Sequence, residues 1–236
     1  MEQGEVVLEV KNLQVAFGND VVLDKLSFAV HRGDIVAILG PNGAGKTVLF
    51  RTLLGLLPYA GSIEWAKHIK LGYVPQRFGV ERDLPLTVEE FFSFKTGERP
   101  RDLAKVLEDV ELKADILNKK LGVLSGGQLQ RVLIAWALVG SPDVLLIDEA
   151  TTSVDMPGAE EIYRMLERLK KQHNLTILLI SHDLNVVYRY AAHVVCVNRS
   201  QVCYGSIHDA LTPEVLQKVY GGERGFYQHL HHEHQH

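Results

Sequence analysis

The sequence is poor in several things, and each shortage removes a class of protein. Two cysteines in 236 residues cannot form the framework of a disulfide-stapled secreted scaffold. No apolar run approaches the roughly 18 residues of a membrane span, so any membrane contact is expected to pass through a partner. The start, Met1-Glu2-Gln3-Gly4-Glu5, has neither the basic region nor the apolar stretch of a secretory leader, and a cytosolic chain is expected. Basic residues are not in excess, with 25 Lys and Arg against 29 Asp and Glu and a net charge of −4. There is no Lys/Arg-rich run, which makes nucleic acid a poor default partner. The length suits one large α/β domain, 1–236, that can bury a substantial core.

What is present centres on Gly40 to Thr47, GPNGAGKT, which fits G-x-x-x-x-G-K-[ST] at every fixed position. Ile35 to Leu39 (IVAIL) before it is an apolar run of strand length, and Val48 to Leu57 after it carries leucines and a Phe at helical spacing. A loop between buried strand and helix turns backbone N–H groups and the positive helix end toward an anion. Gly40, Gly43 and Gly45 let the main chain bend around it, with Pro41, Asn42 and Ala44 completing the loop. Lys46 is expected to reach the β- and γ-phosphates, and the Thr47 hydroxyl to sit on Mg²⁺.

The N-terminal third reads as short strands, Val6 to Val10, Gln14 to Phe17 and Leu26 to His31, forming an antiparallel sheet beside the nucleotide core. Phe17, at a strand end, has a π-face that can stack on adenine. After the helix, Ser62 to Ala66 and Ile69 to Val74 read as a strand pair ending at Pro75-Gln76. From 77 to about 140 the pattern turns helical and is read as an inserted lobe, with a capping box at Thr87-Val88-Glu89-Glu90 and an amphipathic helix marked by Leu103, Val106, Leu107 and Val110. Gln76, at the junction, is a candidate sensor of the γ-phosphate through Mg²⁺ or water.

The lobe holds Leu124-Ser125-Gly126-Gly127-Gln128 ahead of a long apolar helix from Leu129 to Val139. Ser125 with Gln128 is a capping box. Capping leaves the glycines unexplained, since each costs roughly 0.5–1 kcal/mol in a helix relative to Ala. A helix start that closes on a terminal phosphate accounts for them. Next, Val144 to Ile147 reads as a buried strand delivering Asp148 and Glu149 to the carboxyl end of a parallel sheet, where ligands bind. Asp148 is expected on Mg²⁺ and Glu149 on the attacking water. Ala150 to Asp155 follows, then a helix from Pro157 with Ile162, Leu166 and Leu169 on one face. A last strand, Leu175 to Ile180, delivers Ser181-His182-Asp183, and the His182 imidazole can donate to a γ-phosphate oxygen.

The remainder, 186–228, reads as a hairpin and a helix at Thr212-Pro213-Glu214. Cys196 and Cys203 flank the hairpin turn Asn198-Arg199-Ser200. Metal ligation is one reading, and small core residues in a reducing compartment is the one adopted. His229, His231, His232, His234 and His236 crowd the tail 229–236; imidazoles suit Zn²⁺, Cu²⁺ or Ni²⁺ better than Mn²⁺ or Mg²⁺, so a Zn²⁺-binding tail is expected, with a plain solvated tail or part of a purification tag as the other reading.

GPNGAGKT, Gln76, LSGGQ, VLLIDE, Asp155 and His182, in this order and spacing, resemble the nucleotide-binding cassette of ABC transporters across essentially the whole chain. The resemblance implies a P-loop NTPase core with an antiparallel β subdomain and an inserted helical subdomain, using ATP and Mg²⁺. Within it Glu149 is the general base, His182 holds the γ-phosphate and Asp155 belongs to the site. It also implies a head-to-tail homodimer in which Ser125 of one copy covers ATP in the other, a transmembrane permease partner at the cytoplasmic membrane face, and an external metal-binding protein. Two departures stand out: Ala150 where the family usually has Pro, and Ser153 where Gly is common. Gly72-Tyr73-Val74-Pro75-Gln76, Leu84-Pro85-Leu86-Thr87-Val88, Val195-Cys196-Val197-Asn198 and the His-rich end are most similar to the ATPases of bacterial zinc importers. Manganese and iron importers share this framework. An ABC ATPase that moves no solute and a module that binds ATP without turnover are the competing readings.

Overall fold

In a computed structural model the chain is described at residues 4–79, 81, 83–97, 100, 102–149 and 156–221. β1 (Val6–Phe17) and β2 (Asp20–His31) form a long antiparallel hairpin about Gly18-Asn19. The three short strands expected here are two strands of 12 residues each. Register shifts between Val10 and Leu13, and again between Leu13 and Val15, absorb the breaks in the apolar pattern without ending the strand.

β3 (Ile35–Leu39) leads into α1 (Lys46–Leu53), followed by β4 (Ala60–Trp65) and β5 (Leu71–Val74). The expected pairing of these last two strands does not form. β4 pairs antiparallel with β1, whereas β5 pairs in parallel with β6 (Val144–Asp148), so they become opposite edges of the sheet. The reason is burial: Gly72 and Val74 are buried against the parallel core, while β4 has no buried residue and suits an edge.

Between β5 and β6 lie α2 (Val88–Thr96), α3 (Leu103–Asp109), two short 3₁₀ turns and α4 (Gly126–Leu138). Thr87 starts α2 with the expected reciprocal cap: its hydroxyl accepts from the Glu90 N–H at 3.3 Å, and Glu90 Oε2 accepts from the Thr87 N–H at 2.8 Å. α5 (Met156–His173), β7 (Thr176–Ile180) and α6 (Leu184–Tyr190) follow. Then come β8 (His193–Asn198), β9 (Ser200–Ser206), α7 (Ile207–Ala210) and α8 (Pro213–Tyr220), the last capped by Thr212.

The strands run β4-β1-β2-β9-β8-β3-β7-β6-β5, antiparallel at the β1 end and parallel from β3 to β5. The central strands are buried on both faces, as parallel strands must be when helices cover them. Leu145, Ile147, Ile177 and Leu179 pack with α2 to α5, while Val144, Leu146, Leu178 and Ile180 pack with α1 and the β1–β2 hairpin. One core expectation is overturned: Cys196 and Cys203 are disulfide-bonded. They are direct cross-strand partners in the β8–β9 hairpin, which brings the sulfurs together. No helix among the described residues is long and apolar enough to cross a membrane.

Candidate functional site

Four parallel strands lie side by side, β3, β7, β6 and β5, and each delivers one part of the site just past its carboxyl end. β3 gives the glycine loop, β7 His182, β6 Glu149 and β5 Gln76. This is where an open parallel sheet offers a crevice.

The loop depends on two glycines. A Cβ on Gly40 would run into the Val197 carbonyl oxygen, so only glycine permits this approach of backbone to backbone. Gly45 is the residue before α1, with φ 96°, and a Cβ there would lie 2.6 Å from Leu23 Cδ2. Because glycine has no side chain to cap with, the first N–H groups of α1 receive no side-chain cap and are directed at the loop's hollow. Lys46 is buried, and its Nζ donates to the carbonyls of Gly40 at 2.9 Å and Pro41 at 3.0 Å. Burial pushes its ammonium below the usual lysine range, and the nearby Glu149 and Asp148 carboxylates oppose that shift. The adjoining cavity, ≈ 220 Å³, is walled by residues 42–48 together with Val22, Gln76 and Glu149.

Asp148 ends β6 at 1 % exposure. Burial raises its carboxyl pKa, while the Thr47 hydroxyl, Lys46 and Arg51 favour the ionised form. Neither carboxylate oxygen completes a well-aligned hydrogen bond. Two buried, unsatisfied carboxylate oxygens beside a threonine hydroxyl fit a hard cation that takes oxygen ligands, and Mg²⁺ is such an ion. Glu149 adopts a left-handed φ of 53° and donates its N–H to the Ile180 carbonyl at 3.2 Å. The turn places its carboxylate between two partners: Gln76 Nε2 donates to Oε2 at 2.5 Å, and His182 Nε2 lies 2.5 Å from Oε1.

Ser125 and Gln128 form a complete capping box at the start of α4, each backbone N–H reaching the other's side-chain oxygen at 3.2 Å. The Ser125 hydroxyl is therefore occupied by its own helix, and Gly126 and Gly127 are the first residues of that helix. Its surroundings are a separate depression of ≈ 520 Å³ shared with Arg131, Glu111 and Lys113, with no residue in common with the cavity at Lys46. Phe17 is 51 % exposed and is not part of the cavity wall. Asp155 and His229, His231, His232, His234 and His236 lie outside the described residues. No group of three or more candidate metal ligands occurs among the described ones.

Sequence reasoning passed over Val22, Arg51 and Tyr73. Burial and the Asp148 carboxylate raise the Tyr73 phenol pKa, and Arg51 lies close enough to bias Asp148. Arg51 was findable, being one helical turn after Thr47 and so on the same face of α1. Val22 was not, because only the β1–β2 hairpin's fold over the loop brings it there.

A glycine loop between β3 and α1, a buried carboxylate at the end of β6 and polar residues from both neighbouring strands define a P-loop nucleotide-binding α/β protein. The family model described as ABC transporter matches residues 23–152, and the chain belongs to that family, as an ABC-type ATPase. Membership implies use of ATP with Mg²⁺ and a membrane-spanning partner. Among curated relatives, the zinc import ATP-binding protein ZnuC of Haemophilus influenzae is 33 % identical over 95 % of this chain and 85 % of its own length. The ZnuC of Jannaschia sp. is 39 % identical over 85 % of this chain and 82 % of its own. Among solved structures, the ADP conformation of MJ1267, an ATP-binding cassette of an ABC transporter, superposes with a TM-score of 0.80. It is 26 % identical and covers 92 % of this chain and 99 % of its own. The dimeric post-hydrolysis structure of the ATP-binding cassette MJ0796 bound to ADP and Pi gives 0.71 at 25 % identity, with 85 % and 98 % covered.

Proposed function

We propose that this chain is the ATP-hydrolysing subunit of a zinc importer. The carboxylate of Glu149, held between Gln76 and His182 at the mouth of the glycine loop, is the observation that carries the hydrolytic part. Lys46 would exchange its two carbonyl partners for β- and γ-phosphate oxygens, with the loop from Gly40 to Thr47 supplying backbone N–H groups. Thr47 and Asp148, with Gln76, would hold Mg²⁺, which when bound neutralises charge building up on the phosphates. Glu149 takes a proton from water as its oxygen attacks the γ-phosphorus and the bond to the β–γ bridging oxygen breaks. His182 donates to the γ-phosphate and keeps Glu149 aimed. Phe17 would stack on adenine, and Asp155 would belong to the nucleotide site.

The separation of Ser125 from Lys46 into different cavities supports the head-to-tail arrangement, in which Ser125, Gly126, Gly127 and Gln128 of a second copy cover the phosphates. Motion of the closing pair would pass to a permease at the cytoplasmic membrane face, fed by an external metal-binding protein. Zinc as cargo rests on the ZnuC relatives and on the His-rich tail, which we read as a Zn²⁺-binding segment. Uptake of radiolabelled zinc and manganese, in cells whose own copy carries Glu149→Gln, tests the reading. Selective loss of zinc uptake is expected; loss of manganese uptake alone would move the chain to the manganese importers.

A further inference from the structure

The catalytic scheme makes no use of the cysteine pair, yet the pair adjoins the glycine loop. Cys196 is fully buried in β8 and stands in parallel register with Leu39, the residue that leads into Gly40. The next residue, Val197, puts its carbonyl oxygen where a Gly40 Cβ would be. Two residues further on, the Arg199 N–H donates to the Ala44 carbonyl of the loop at 3.4 Å, and its own carbonyl accepts from the Asp24 N–H at 2.9 Å. The hairpin that carries the disulfide is therefore the backing of the loop. The β8–β9 ladder shifts register between Cys196 and Val197, so an irregularity separates the sulfur bridge from the carbonyl that meets Gly40. The disulfide pins Cys196 to its cross-strand partner Cys203 one residue before that carbonyl.

We propose that Cys196 and Cys203 are a reversible thiol–disulfide switch that sets the nucleotide affinity of the loop, with the dithiol form binding ATP more tightly. This rests on the reading of the loop as an ATP site. The direction follows from Lys46. To meet a phosphate, its Nζ would give up the Gly40 and Pro41 carbonyls, and any shift of the released Gly40 peptide would be made against Val197, on which it is packed. A closed bridge one residue away opposes that adjustment, and free thiols allow it.

The oxidant is a low-molecular-weight disulfide of the glutathione kind. Cys203, half-buried where Cys196 is fully buried, attacks it as the thiolate, forming a mixed disulfide and releasing one small thiol. The Cys196 thiolate then attacks Cys203 Sγ and displaces the second. Two protein thiols and one small disulfide become one protein disulfide and two small thiols. Two electrons pass to the small molecule, and the thiol protons end on the released thiols.

The test uses the purified full chain, treated with glutathione disulfide or with dithiothreitol, its thiol state checked by alkylation and mass spectrometry. A fluorescent ATP analogue is titrated into each form, with ATP turnover measured in parallel. The oxidised form should show a Kd about fivefold or more higher, restored by reductant. The difference should vanish in Cys203→Ser and in Cys196→Ala, two variants that guard against loss of fold in either one. Equal affinities, tighter binding by the oxidised form, or failure of glutathione disulfide to close the bond each overturns the switch. Redox-independent binding with normal turnover removes the switch alone, whereas nucleotide bound by neither form removes the ATP-site reading and the switch together.

Discussion

His182 Nε2 lies 2.5 Å from Glu149 Oε1, across the ends of adjacent strands β7 and β6, while Gln76 holds the other oxygen of the same carboxylate. A base gripped at both oxygens keeps one orientation without any ligand, at the cost of the left-handed backbone at Glu149. Glu149→Gln preserves size and hydrogen-bonding reach but cannot take a proton. We expect kcat to fall about 10²- to 10⁴-fold with ATP affinity unchanged, read by single-turnover hydrolysis beside nucleotide titration. Turnover at the wild-type rate would remove Glu149 from its role.

His182 makes a second, separable prediction. In His182→Ala the Glu149 carboxylate keeps Gln76 and loses the imidazole, so turnover should drop by about 10² or more while the thermal midpoint changes little. His182→Gln can still donate to the carboxylate or a phosphate, and partial recovery is expected. Equal loss in both variants would mean that the imidazole itself, rather than its hydrogen bond, is required.

Gly40→Ala tests the backbone approach of the loop to β8. The new methyl would meet the Val197 carbonyl, a backbone atom that cannot rotate away. Overpacking of this kind costs about 1–3 kcal/mol, which urea denaturation of the nucleotide-free protein would report. Gly43→Ala has no atom within 4 Å of the added methyl and serves as the control, its cost confined to the positive φ. A Gly40→Ala protein no less stable than this control would contradict the crowding.

Ser125 both caps α4 and, on the proposed reading, meets a phosphate of the partner copy. The two can be separated. Ser125→Ala removes the cap and should cost about 1 kcal/mol of stability. Ser125→Asp keeps a capping oxygen and should hold stability near wild type, yet it sets a negative charge against the phosphates, so turnover should collapse. Full turnover in Ser125→Asp would leave the serine with only its helix to serve.

The residues of the loop and the strand ends were legible because local chemistry demands them. A buried strand, a glycine-rich turn and a helix occur together only in a few contexts, and Thr87 and Ser125 announce their helices by their own capping partners. Pairing was less legible. β4 and β5 look like neighbours in sequence, and nothing local says that burial of Gly72 and Val74 sends β5 to the far edge. The cysteines show the same limit: their spacing suits a hairpin, but the register that makes them cross-strand partners is set by the whole β8–β9 ladder. Val22 reaches the cavity through tertiary packing alone.

Asp148 should make the nucleotide-free protein less stable as pH rises. Burial raises its carboxyl pKa in the folded chain, with the Glu149 charge adding to the effect. An acid whose folded pKa lies above its unfolded one binds more protons when folded, so stability declines as pH climbs from the unfolded to the folded value and the penalty is complete above it. Asp148→Asn carries no charge to desolvate. In buffer free of Mg²⁺ and nucleotide it should melt above wild type at neutral pH, and the gap should close below the ordinary aspartate range. Adding Mg²⁺ and ATP should reverse the order, because a carboxylate holds the cation more strongly than a neutral amide does and ligand binding stabilises the wild type by mass action. An Asn variant that melts below wild type at neutral pH in metal-free buffer would show that the buried carboxylate has a partner satisfying it, and would withdraw Asp148 as the place where Mg²⁺ is held.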